Sequence, residues 1–110
     1  MAETLKVLGQ SAPAATTNTN IYTVPASKAA VISTLVVCNR GTSAGTFRIA
    51  VRPGGAAIAN QHYLFYDTAL AASSCIAVTI GMTLATTDIV TVYASSANFS
   101  FSLFGSEVDV

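Results

Sequence analysis

Apolar residues recur at every second position along most of this chain, in short runs broken by turn formers about every ten residues. Across residues 45–52, Phe47, Ile49 and Val51 alternate with Thr46, Arg48 and Ala50. Successive side chains of a strand point to opposite faces, so the pattern predicts a strand half in a core and half in water. The same period places Ile76, Val78, Ile80 and Met82 on the inner side of 74–82. It sets Val90 and Val92 opposite Ile89, Thr91 and Tyr93 within 88–95, and Phe99, Phe101 and Leu103 opposite Ser100 and Ser102 within 98–104. Residues 29–39 form a β-branched run and 62–66 an aromatic strand, while 4–8 and 20–24 are weaker candidates. Pro25, the stretch 40–43 and Pro53-Gly54-Gly55 punctuate the series, and 56–60 fits at most one helical turn. The expectation is an all-β protein: an antiparallel β-sandwich of about eight strands, jelly-roll or immunoglobulin-like.

Residues 11–20 are rich in Ala, Thr and Asn, contain Pro13, and read as a loop. They divide the chain into 1–19, an N-terminal arm or edge strand and loop, and 20–110, the sandwich domain. Leu5, Val7 and Leu8 in the arm are unfavourable in water. The arm therefore adds a strand to its own sheet or docks on a neighbour.

At 110 residues the chain suits one domain. Charged residues make up 9% against the roughly 25% of ordinary proteins, and five cations balance five anions. That excludes a charge-rich disordered tail and argues against nucleic-acid binding, which needs a cationic excess. Nineteen residues are alanine, and Ser and Thr dominate the polar set. Ordering such short side chains against a partner costs little entropy, and zero net charge removes repulsion between copies. The composition thus favours a subunit of an assembly. Residues 1–6 have neither a basic region nor a long apolar stretch, and no apolar run nears the roughly 20 residues that span a bilayer. The expectation is a protein kept on the cytoplasmic side, without membrane contact. Cys38 and Cys75 lie outside any CxxC pair and read as small buried hydrophobes. A disulfide between facing strands is the alternative, which a reducing compartment does not favour.

Little in the sequence carries chemistry. His62 stands alone, without a second histidine or a nucleophile motif, and reads as a rim residue. Asp67 and Asp88 fall where turns are expected, as Asp favours them. No zinc spacing, calcium loop or phosphate loop is present. The reading is no catalytic residue, no metal, no cofactor and no enzymatic activity. Arg48 and Arg52 fall on one strand face, where their planar forks would suit an acidic partner, or simply face solvent. Tyr63, Phe65 and Tyr66 divide between core and interface. The candidate partner contacts are Leu5, Val7, Leu8, Arg48, Arg52 and Tyr66. Asn98-Phe99-Ser100 matches a glycosylation sequon without a secretion signal to support its use.

Two segments carry a likeness: IYTVPASKAAVISTLVVCNRGTSAGTFRIAVRP and HYLFYDTALAASSCIAVTIGMTLATTDIVTVYASSANFSFSLFGSEV. The opening TVPA and VCNRG and the closing VYASSANFSFSLFGSE are its strongest parts. Over about residues 20 to 108 the chain resembles small virion structural proteins of tailed bacteriophages. The resemblance implies a β-sandwich subunit of a phage particle, present in many copies. Such proteins include capsid decoration (cement) proteins and parts of tails and fibres. It points first to a decoration protein on the outer capsid surface, a homotrimer whose partners are its own copies and the major capsid protein. The alternative is a tail or fibre component that adheres to host carbohydrate through Tyr63, Tyr66 and Tyr93. The likeness transfers no site residue.

Overall fold

The structure, a computed structural model, describes residues 3–110. Those residues form nine strands: β1 (Glu3–Ser11), β2 (Thr19–Thr23), β3 (Lys28–Asn39), β4 (Gly45–Arg52), β5 (Tyr63–Leu70), β6 (Ser74–Val78), β7 (Met82–Leu84), β8 (Ile89–Ala94) and β9 (Phe99–Asp109). All pair antiparallel in two sheets. Sheet one runs β1-β9-β3-β6, with β7 beside the other half of β3. Sheet two runs β2-β8-β4-β5.

With β6 and β7 taken as one interrupted strand, the pairs nest. β4 joins β5, β3 joins β6 and β7, β2 joins β8, and β1 joins β9. This is the winding of a jelly roll, and it decides between the two sandwich types left open above. Residues 3–11 are the edge strand of sheet one.

The inward alternate positions make one core. Ile32, Leu35, Val37, Phe99, Phe101 and Leu103 come from sheet one and Phe47, Ile49, Val90 and Val92 from sheet two, all fully buried. Burying each such side chain contributes about 1.5–3 kcal/mol. Phe47 sits among Phe65, Phe99 and Phe101, with ring centroids 5.6, 6.3 and 6.2 Å away, close enough for aromatic contacts to add to the burial.

Three local readings need correction. Residues 74–82 are two strands, because Gly81 takes a φ of +63° between β6 and β7. The single helical turn placed at 56–60 is replaced by 3-10 turns on either side of it, at Pro53–Gly55 and Asn60–His62. Leu8 is no partner contact. It faces inward from β1, 8% exposed, in the core that includes Tyr22.

A polar cluster joins the sheets. Glu107 on β9 is buried, accepts a 2.6 Å hydrogen bond from the Tyr22 hydroxyl of β2, and pairs with Lys6 Nζ at 3.2 Å. Among the described residues no buried side-chain polar atom lacks a partner.

Candidate functional site

With both inner faces spent on the core, interactions fall to the two outer faces, and these differ sharply. On sheet two, Arg48 projects outward from the middle of β4. Its guanidinium lies 4.2 Å from the centroid of the Tyr66 ring on β5 and 4.3 Å from that of Tyr93 on β8. Both distances suit cation–π attraction. A bulge in β5 completes the arrangement. Phe47 pairs with Thr68 and Ile49 with Phe65, so Tyr66 and Asp67 together stand opposite Arg48. Asp67 has φ +48°, a conformation Asp tolerates better than most residues. It accepts Arg48 Nε at 2.6 Å and Nη2 at 3.2 Å, a two-point fork. The hydrogen bond from Arg48 holds the Asp67 carboxyl below the usual carboxylate range.

Tyr63 meets Tyr66 edge to face, with centroids 4.9 Å apart. Together with Asn60 these rings line an open cleft of about 510 Å³. Beside the cluster, Arg52 donates to Thr91 Oγ1 at 3.1 Å, to Asn20 Oδ1 at 2.9 Å and to the Ala56 carbonyl at 3.2 Å. The face therefore offers aromatic surface and amide and hydroxyl groups, while its two arginines are already bonded within the chain. Chemically it suits a ligand that stacks on tyrosine and forms neutral hydrogen bonds.

The outer face of sheet one is nearly without charge. Across its outward positions, among the described residues, Glu3 at a corner of β1 is the one ionised side chain. Leu5 is 79% exposed, Val7 47% and Val31 40%. Strand register gathers them. Leu5 and Val31 flank Ser106 in one row, and Val7 stands beside Phe104 in the next. The surroundings are Ser33, Thr34, Ser102 and Thr83, small and neutral. Exposed aliphatic side chains gathered on a neutral sheet face are compatible with packing against another protein.

The structure thus separates the candidate contacts. Leu5 and Val7 join on sheet one, Arg48, Arg52 and Tyr66 on sheet two, and Leu8 belongs to neither. Arg48 and Arg52 share a face as the spacing indicates, but they bind Asp67, Thr91 and Asn20 rather than standing open to an acidic partner. Asp67, read as a turn residue, lies in β5. Asp88 does occupy a turn, accepting the amides of Gly54 and Ala85 at 2.8 and 2.9 Å. His62 ends a 3-10 turn, its Nδ1 accepting the Ala59 amide at 3.1 Å. Among the described residues no three His, Cys, Asp or Glu side chains converge as metal ligands do. Val31 and Phe104 were missed. The unbroken β-branched run of β3 hides its inner and outer positions, and a bulge between Ile32 and Thr34 reverses them midway.

Compared with known proteins, the chain matches no family model, no curated protein and no solved structure.

Proposed function

We propose that this chain is a structural subunit of a bacteriophage virion, acting as a capsid decoration protein that bridges subunits of the major capsid protein. The observation that carries the reading is the outer face of sheet one, where among the described residues Glu3 is the one ionised side chain and Leu5, Val7 and Val31 stand exposed. Covering these side chains removes apolar area from water at about 25 cal/mol per Å². The neighbouring Ser and Thr residues lose few rotamers when covered. The resemblance over residues 20 to 108 supports a virion setting. Jelly-roll sandwiches serve in viral capsids and in lectins, so the fold is compatible with the reading without selecting it.

The proposed action is mechanical. A homotrimer seated across neighbouring capsid subunits adds buried contact that must break before the head ruptures, and several attachments per trimer raise its effective affinity. A second reading, carbohydrate adhesion at a tail or fibre, is favoured by the gathering of Tyr63, Tyr66 and Tyr93 around Arg48, with Asn60 beside the cleft.

The test is to image and heat particles with and without the protein. Density at many capsid sites, with earlier rupture of stripped heads, is the expected result. Density confined to the tail would move the assignment to the second reading. Equal heat resistance with and without the protein would refute cementing.

A further inference from the structure

Cys38 and Cys75 lie 37 positions apart in sequence yet face each other directly, paired in register across β3 and β6. Opposed residues of an antiparallel pair have Cα atoms about 4.5 or 5.5 Å apart, depending on whether the pair is hydrogen-bonded. Both values fall within the roughly 4.4–6.8 Å that a disulfide spans. The side chains share the outer side of the sheet. The neighbours Val37 and Ile76 are also paired, with Val37 fully buried, so the cysteine pair points away from the core. Cys75 is exposed and Cys38 partly so, which lets a small reagent reach them. A hydrogen bond between the two holds the Cys75 thiol above its ordinary value.

We infer that Cys38 and Cys75 form a cross-strand dithiol that a small-molecule disulfide, such as oxidised glutathione, converts to an intramolecular disulfide. One of the pair, as thiolate, attacks a sulfur of the reagent, releases one thiol and leaves a mixed disulfide. The second, on losing its proton, attacks the protein sulfur of that mixed disulfide and releases the other thiol. Two S–H bonds of the protein are replaced by one S–S bond, and the two electrons reduce the reagent to two thiols. The bridge would be a reversible staple on the edge strand β6. It forms under oxidising conditions and opens again with mild reductant.

The pair is distinct from the aliphatic patch. Val31 and Cys38 are seven residues apart on β3, about 23 Å along a strand. The inference rests on the folded chain alone and stands or falls separately from the virion reading.

The test uses the native full chain with oxidised glutathione, followed by intact mass, thiol titration in denaturant and peptide mapping. The expected result is a monomer lighter by about 2 Da, no titratable thiol, and a Cys38–Cys75 linked peptide that dithiothreitol opens. The Cys75→Ser variant, if it folds, is expected to lose no mass by this route. The wild-type measurement decides without it. A stable glutathione adduct on either cysteine, two thiols still free after prolonged exposure, or a disulfide-linked dimer as the main product would each overturn the inference.

Discussion

Glu107 is an anion in the interior that earns attention through its pH behaviour. The hydrogen bond from Tyr22 is the main influence holding its carboxyl below the ordinary range, and Lys6 adds to it against the effect of burial. A carboxylate that ionises more readily folded than unfolded stabilises the fold above the unfolded value of about 4.3. That contribution is lost as pH falls through the depressed folded value. Tyr22 is shifted the other way, upward, by burial first and then by Glu107. Its contribution is full below the unfolded value of about 10 and is lost as pH rises through the folded one. The pair thus works best over the middle of the pH range. We expect Glu107→Gln to lower the melting temperature at neutral pH, and the gap from wild type to narrow in acid, below about pH 4. Melting curves of both proteins across pH check this, and a gap that stays constant into acid would show that the ionised form is not what stabilises. Neither group was singled out in the sequence, where Tyr22 and Glu107 stand 85 positions apart and only the packing of β2 over β9 makes them partners. Asp67 is a different kind of miss. It is expected in a turn, but with φ +48° it forms a bulge inside β5 rather than the end of a strand.

Among the elements, β9 is the most demanding. It lies between β1 and β3, and its Gly105 lets the neighbouring backbone come unusually close. A Cβ at that position would stand 1.9 Å from the Val31 carbonyl oxygen and 3.0 Å from the Ile32 Cα. Both obstacles are main chain and cannot rotate away. Gly105→Ala is expected to destabilise by at least the roughly 1–3 kcal/mol usual for overpacking, read as a lower urea midpoint. An unchanged midpoint would mean that the bulge in β3 relaxes freely. The strands themselves were visible in the sequence, since alternation over 45–52, 88–95 and 98–104 follows directly from one buried face. Strand lengths were less so. β5 reaches Leu70 and β9 reaches Asp109, beyond the aromatic and phenylalanine runs that announce them. Which strand pairs with which has no local signal, because the partners of a jelly roll are remote in sequence. The tyrosine–arginine cluster was hidden for the same reason: Arg48, Tyr66 and Tyr93 come from three strands that meet only in sheet two.

For the whole molecule, the contrast between faces makes a direct prediction. Leu5 is exposed on sheet one and contributes nothing to the core, so Leu5→Glu should leave the melting temperature of the isolated chain nearly unchanged. On the proposed function, a charge set into that neutral face weakens self-association and binding to phage heads. Sedimentation velocity and a head-binding assay measure the two effects. Loss of neither would exclude the face as the contact surface, whereas a large fall in melting temperature would show that Leu5 supports the fold itself. The order of strands in sheet one also governs how a newly made polypeptide can mature. β3 and β1 are not neighbours, and the gap between them is filled only by residues 99–109. While those residues remain inside the ribosomal tunnel, the first nine-residue strand has no seat, and Leu8, its one aliphatic side chain bound for the core, stays uncovered. Completion is therefore a late, all-at-once insertion, slow in the way of long-range β pairing, and during that delay chaperones have their opening.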